Sequence, residues 1–514
     1  MGHYNFAFVL GLSSLVAACA QAPDPVDPPA VEAIGFERTA VTPIQAGDPY
    51  YATAAAAVAA RQGTLGQAKN VILFVGDGMG ISTVTAARIY AGQKRDMDGE
   101  SYRLAMDTLP YAALSKTYSH DYQVSDSAAT ATAMVSGVKT RSGALGVTSD
   151  VAVGNCASQI DRGTDSLFEL AEKAGLTTGV VSTAKLTHAT PAATYSESAS
   201  RGWEDDSALG ANSDCKDIAT QFVEWEAGDG FEIALGGGRQ HFRPVGAPDL
   251  ESENEPGRRT DGRDLTAEWA AKSDAHVYVE DTGGFEAADI AGGAKVLGLF
   301  EASHMQFELD RAGDTAGEPS IEEMTRAAIT RLSQNENGFV LMVEGGRIDH
   351  GHHAGNAIRA LEDADAMDRA VAAALEMTSA DDTLIIVTAD HSHTLTIAGY
   401  PARGNPILGK SSPAPGVVAR ADDGKPYTTL GYANGPGSCR LEDEGVVCDR
   451  QDLSDVDTEA NDFRQPALVP TGSETHAGED VAVFASGPGA DMVRGVMEQN
   501  EIFHVMGTAS GLVK

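Results

Sequence analysis

The chain has 514 residues, 42% of them hydrophobic, and a formal net charge of -37. This length and apolar content allow a large buried core and carry no compositional sign of disorder or a fibrous repeat. The charge argues against nucleic acid and anionic membrane surfaces as partners, because the long-range field repels polyanions, but not against a small anionic substrate, since bound cations or an arginine invert the potential locally.

In chain order, the apolar run Phe6–Ala18 is too short to span a membrane and ends in Val16-Ala17-Ala18-Cys19. It reads as a signal peptide over residues 1–19 with lipid attachment at Cys19, although no Lys or Arg precedes it; a cut after Ala20 would give export as well. Pro-rich sequence follows at once, so residues 20–45 are expected to be a tether and 46–514 the main body. The bland alternative is that the apolar run is simply a first buried helix. Setting Cys19 aside leaves Cys156, Cys215, Cys439 and Cys448, an even set suited to an oxidising compartment. Proximity favours Cys439 with Cys448, leaving Cys156 with Cys215; four free thiols are the alternative.

Val71–Val75, Phe339–Val343 and Leu384–Val387 are continuous apolar runs of strand length, each followed by an acid: Asp77, Glu344 and Asp390. They read as buried parallel strands whose carboxyl ends meet at one crevice, where open α/β sheets bind ligands. A further short strand is expected at Val481–Phe484. Helical stretches such as Ser166–Ala174 and Ala357–Leu375 complete a layered α/β alternation. The fold expected is a large, mostly parallel central sheet flanked by helices. Residues 394–473, rich in Gly, Pro and Asp, read as an irregular insertion.

Gly76-Asp77-Gly78-Met79-Gly80 misses dinucleotide spacing and would aim a carboxylate at a pyrophosphate, so a metal carboxylate fits better. Ser127 opens a small-residue helix, where the dipole favours an alkoxide; the bland alternative is a helix cap, and no nucleophile elbow surrounds it. Asp349 and His353 stand one helical turn apart within a dense Glu344–His353 cluster, and Asp390-His391-Ser392-His393 and Glu474-Thr475-His476 add further ligand types. One such cluster alone could be a solvated acidic face. Three, each beside an expected strand, weigh heavily against coincidence.

In family order, Gly-Asp-Gly-Met-Gly, Asp-Ser-Ala-Ala-Thr-Ala-Thr-Ala, Val-Glu-Gly-Gly-Arg-Ile-Asp-His-Gly-His-His, Thr-Ala-Asp-His-Ser-His and Glu-Thr-His-Ala-Gly-Glu-Asp resemble the motifs of the alkaline phosphatase family, especially its animal-type branch, from about Asn70 to the C-terminus. The resemblance implies a first zinc on Asp349, His353 and His476, and a second on Asp77, Asp390 and His391 beside Ser127. It implies magnesium on Asp77, Thr190 and Glu344, an oxygen set that suits a hard cation. Arg201 matches the phosphate-binding arginine, whose planar fork holds two oxygens. His188 and His350 take the animal-type choice where the best-known enterobacterial form has Asp and Lys, and would tune the magnesium site without ligating it. A calcium site of the animal type would use Glu251, the Phe300 carbonyl, Glu301 and Glu318. A homodimer is also implied.

On that resemblance the expected reaction is hydrolysis of phosphate monoesters through a phosphoserine at Ser127. A phosphodiesterase or sulfatase on a related metal plan is the competing enzyme reading, and a lipid-anchored phosphate- or metal-binding protein without turnover is the competing non-enzyme.

Overall fold

The three apolar runs form the middle of the sheet. In the computed structural model, which describes residues 40–210, 213–251, 256–442, 445–447 and 449–513, they are β1 (Asn70–Gly76), β7 (Phe339–Gly345) and β8 (Thr383–Ala389), each almost wholly buried. With no polar face to turn to water, such strands must be covered by helices on both sides. The other labelled strands are β2 (Tyr111–Lys116), β3 (Thr177–Lys185), β4 (Ile233–Gly237), β5 (His276–Val279) and β6 (Lys295–Leu299).

The ten strands lie in the order Gly495–Glu498, β2, Val481–Ser486, β8, β1, β7, β3, β4, β6, β5. Val481–Ser486 pairs antiparallel with both neighbours, while the other pairings are parallel, so one reversed strand interrupts an otherwise parallel sheet. The expected mostly parallel sheet is therefore found, with a reversal that apolar content alone does not signal. One apolar cluster fills one side of the sheet, including Phe168, Phe222 and Phe503; a second fills the other, including Leu361, Met367 and Val371 of the helix Ala357–Met377.

The central strands end in step. Gly76 pairs with Gly345 and Ala389, and Glu344 with Ser182 of β3. Asp77, Glu344 and Asp390 are thereby set side by side at one edge. Two glycines of the Gly-Asp-Gly-Met-Gly turn are demanded by what passes beside them: Gly78 sits at φ +67° against the His393 ring, and a Cβ on Gly80 would fall 1.9 Å from Ser392 Oγ.

The helix-bearing body begins earlier than the expected boundary at residue 46. Pro43–Ala46 is already helical, and buried Gln45 donates to the carbonyls of Ser136 (2.7 Å) and Asp165 (3.0 Å). Residues 43–45, expected as the end of the tether, thus pack into the body, whereas residues 1–39, Cys19 among them, lie outside the described residues. Among the described residues no helix is long and apolar enough to cross a membrane. The segment 394–473 is less irregular than its composition suggests: Leu395–Ile397, Leu430–Gly435 and Ala467–Pro470 build a separate three-stranded sheet.

Cys156 and Cys215 form the expected disulfide across 59 residues of sequence. Cys439 is also disulfide-bonded, and Cys448 lies outside the described residues. A loop of this length constrains the unfolded chain by about 4 kcal/mol in the entropic account. The double replacement Cys156→Ser, Cys215→Ser is expected to lower unfolding free energy by about 2–4 kcal/mol, measured by urea denaturation.

Candidate active site

Four adjacent strands, β8, β1, β7 and β3, deliver the site from their carboxyl ends. Asp77 follows β1, Glu344 is the penultimate residue of β7, Asp390 follows β8, and the segment after β3 carries His188 and Thr190. The short helix Arg347–His353 places Asp349 and His353 on one side, as the four-residue spacing requires. His476 arrives on a two-residue ribbon in which it pairs directly with His393.

The first cluster is Asp349, His353 and His476. His353 Nδ1 donates to the Glu474 carbonyl (2.6 Å) and His476 Nδ1 to the Ser125 carbonyl (2.8 Å). Carbonyls only accept, so both rings carry their proton on Nδ1 and in the neutral form present bare Nε2 atoms. Those two lone pairs face each other at 3.2 Å, and Asp349 Oδ1 lies 3.3 and 3.4 Å from them. A shared proton or a bound cation makes that arrangement favourable, and a two-nitrogen, one-carboxylate set suits zinc.

His393 also reaches this cluster, but in another role. Its Nε2 donates to Asp349 (2.7 Å) while Nδ1 meets Glu474. Burial alone would depress this imidazole, yet the two carboxylates hold it up to about 9, so it is protonated and orients Asp349 rather than offering a lone pair. Burial likewise pushes the Asp349 carboxyl up, and the hydrogen bond and charge of His393 outweigh it, leaving Asp349 well below the usual range. The sequence reading missed this use of His393 and Glu474, although both sit inside the motifs that carried it.

The second cluster, Asp77, Asp390 and His391, is fully buried. His391 Nε2 lies 3.4 Å from Asp77 Oδ1, 3.2 Å from Asp390 Oδ2 and 3.2 Å from Ser127 Oγ. Ser127 is the first residue of the helix Ser127–Ser136, and the cap is Asp126, so the serine hydroxyl is not spent on capping. Asp126 also accepts from Arg201 Nη1 (3.1 Å), while Arg201 Nη2 donates to His188 Nε2 (2.9 Å), which fixes the guanidinium beside the nucleophile's helix.

The third cluster joins Asp77 and Glu344 with His188, one atom of each within 4.8 Å of the others, so the structure brings His188 to the carboxylates themselves; Thr190 follows two residues later on the same segment. Both Asp77 oxygens, Thr190 Oγ1, Glu344 Oε1 and His391 Nδ1 are buried without a hydrogen-bond partner among the described residues. Burial, then repulsion from Asp390, Asp349 and Glu344, drives the Asp77 carboxyl well above its usual range; burial raises Glu344 to about 7. Orphaned oxygens and mutually repelling carboxylates are what divalent cations satisfy, so the residues fit the expected ions.

Away from this edge, Glu251, Glu301 and Asp314 bring one carboxylate oxygen each within 4.8 Å. Asp314 takes the place expected for Glu318 in that trio. Glu318 stands next to it, accepting from the Gln306 N–H (2.9 Å), and burial with the Glu301 and Asp314 charges raises it to about 9. Phe300 is buried against Phe285.

A serine at a helix start, set among carboxylate–imidazole clusters on the carboxyl edge of a doubly wound sheet, defines a hydrolase of the α/β class. Comparison with known proteins narrows it: the family model described as alkaline phosphatase matches residues 68–512, and the chain belongs to that family. It is 45% identical over 452 residues to the tissue-nonspecific alkaline phosphatase of Gallus gallus, covering 86% of this chain and 84% of that protein, and 43% identical to the Homo sapiens isozyme over the same shares. Among solved structures, the Thermus thermophilus alkaline phosphatase is 26% identical with a TM-score of 0.63, covering 88% of this chain and 94% of that one. A variant of the Antarctic bacterium TAB5 enzyme with magnesium bound in its M3 site is 25% identical with a TM-score of 0.60, covering 88% and 100%. The chain is accordingly a phosphoric monoester hydrolase.

Without divalent cations, Glu344 holds its proton more tightly folded than unfolded. Chelator-treated protein is therefore expected to lose thermal stability as pH rises from about 4.5 to about 7, the span between the ordinary and raised values. Thermal melts with zinc and magnesium restored should remove most of that slope, and an unchanged slope would contradict the electrostatic account.

Proposed function

We propose that hydrolysis proceeds through a phosphoserine on Ser127, with zinc held by Asp349, His353 and His476, a second zinc by Asp77, Asp390 and His391, and magnesium by Asp77, Thr190 and Glu344. The observation that carries this reading is the pair of bare imidazole nitrogens facing each other at 3.2 Å beside Asp349. When bound, such ions supply Lewis-acid stabilisation of the oxygens on which charge develops.

The residues divide the remaining work. Arg201, held by Asp126 and His188, offers its fork to two non-bridging phosphate oxygens. Ser127 Oγ, at the positive end of its helix, attacks phosphorus; the new P–O bond forms as the ester P–O bond breaks, and the leaving alkoxide is protonated to the alcohol. Water then attacks the phosphoserine, releasing inorganic phosphate and regenerating the hydroxyl. Glu344 is oriented by the Ser182 hydroxyl, and Asp349 by His393, so the charged groups are in place before substrate enters.

Three further readings stand as proposals. Export with lipid attachment at Cys19 is supported by the apolar run and the Pro-rich segment after it. Homodimerisation through the insertion is supported by exposed apolar side chains on its small sheet, Ile397, Leu468 and Val469. Calcium binding is supported by the trio Glu251, Glu301 and Asp314.

Assayed at alkaline pH with zinc and magnesium, the protein should hydrolyse a phosphate monoester well ahead of a diester or a sulfate ester, and chelation should abolish turnover. Preference for the diester or sulfate would move the substrate class. Ser127→Ala should leave no acid-stable phosphoserine on rapid quench. Arg201→Ala should lower kcat/KM about 10- to 100-fold, the loss of one charge-assisted fork. His393→Ala should weaken zinc retention about 10- to 100-fold in dialysis against a competing chelator, since the group acts by orienting a ligand.

A further inference from the structure

Beyond Arg201 lies a group of three imidazoles, His188, His304 and His350, of which the proposed reaction uses only His188, as a brace for Arg201. They pack edge to face, with ring centroids 4.2 Å apart for His304 and His350 and 5.2 Å for His188 and His304, and one nitrogen of each lies within 4.8 Å of the others. Such a trio invites reading as a metal site, and its hydrogen bonds argue otherwise.

Each ring faces a donor that cannot accept. His188 Nε2 receives Arg201 Nη2 (2.9 Å), His304 Nδ1 receives the Lys185 backbone N–H (3.3 Å), and His350 Nδ1 receives Arg347 Nη1 (3.2 Å). The second nitrogen of each ring must then carry hydrogen. The zinc-type pair shows the contrast: His353 and His476 turn Nδ1 to carbonyl acceptors and so bare their Nε2 atoms. The trio offers N–H groups where ligands need lone pairs. His188 Nδ1 is buried without a partner, whereas His304 and His350 are partly exposed and their Nε2–H groups have no hydrogen-bond partner among the described residues. Arg201, Lys185 and Arg347 all act on the trio, with Asp349 the one acid that opposes them, at His188 and His350. A patch of N–H donors with cationic neighbours, touching the phosphate-binding guanidinium, suits an oxyanion.

We propose that His304 and His350, together with Arg201, form a second oxyanion subsite that favours phosphate monoesters whose alcohol portion bears another anionic group, a carboxylate or a second phosphate. The proposal rests on the monoesterase reading above and adds its substrate class.

The test compares kcat/KM for 3-phosphoglycerate and glycerol 3-phosphate, and for fructose 1,6-bisphosphate and fructose 6-phosphate, on the zinc- and magnesium-loaded full chain. The two pairs separate carboxylate from phosphate as the recognised group. His304→Phe keeps a packed ring but removes the N–H, and His304→Gln returns a side-chain N–H. The ratio of doubly to singly functionalised substrate should fall about 3- to 10-fold in His304→Phe, the loss of one or two hydrogen bonds, and recover in part in His304→Gln, with kcat on glycerol 3-phosphate unchanged. A ratio unaltered by His304→Phe in both pairs would overturn the proposal, as would equal losses on both members of each pair, which would mean that His304 only supports the local structure. Tight, stoichiometric uptake of zinc by the loaded protein that disappears in His304→Phe would overturn it too, in favour of a metal site. Turnover of none of the four substrates would defeat the monoesterase reading itself, and this subsite with it.

Discussion

The arrangement depends on electrostatic repulsion. Asp77, Glu344, Asp349 and Asp390 are brought together at the end of a buried sheet, where the low dielectric magnifies their mutual cost. A fold can hold such a set only if its backbone is rigid enough to over-determine their positions and if cations arrive to offset the charge. Both conditions shape the molecule. Strands β1, β7 and β8 are locked in register by neighbours on both sides, and two carboxylates are further tied by Ser182 and His393. A net charge of -37 is no bar to a phosphate ester at this edge, because Arg201 and the cations that these clusters fit would invert the potential locally.

Imidazole chemistry at this edge is sorted by what each ring's far nitrogen meets. Where Nδ1 faces a carbonyl, as in His353 and His476, the near nitrogen is bare and can ligate. Where the ring is clasped by two carboxylates, as in His393, it becomes a cation and orients. Where the far nitrogen faces Arg201, Arg347 or a backbone N–H, as in His188, His350 and His304, the ring becomes a donor. One residue type thus serves three purposes within a few ångströms, and the distinction rests on backbone and side-chain partners several residues away.

That is also why the sequence is legible only in part. β1, β7 and β8 stand out because strands buried on both faces are unbroken apolar runs, and their trailing acids are read with them. The i, i+4 pair Asp349 and His353 and the helix-initial Ser127 follow from local periodicity. His304 carries no local signal, since nothing in Ala302–Met305 predicts that the chain will return beside His188. Asp314 joins Glu251 and Glu301 while buried Glu318 stands beside them, because a loop of several acids does not fix which carboxylates converge. The reversal of Val481–Ser486 is a matter of connectivity, and strand direction is not written in a short apolar run. The small sheet within 394–473 is obscured by the Gly and Pro residues that join its strands.

The reversed strand has a consequence for how the molecule comes into being. Because Val481–Ser486 runs against β8, its start lies at the edge where β8 ends, and the residue that precedes it by a few positions, His476, is thrown across to Asp349. The ligand set therefore draws on the chain from Asp77 to His476, a span that includes the entire insertion. An emerging polypeptide can pair β1 with β7 and β8 long before it possesses the final imidazole. Completion of the Asp349, His353 and His476 cluster must therefore wait for the chain beyond the insertion, whereas the residues of the other two clusters have by then already emerged, so this last imidazole closes a body otherwise assembled.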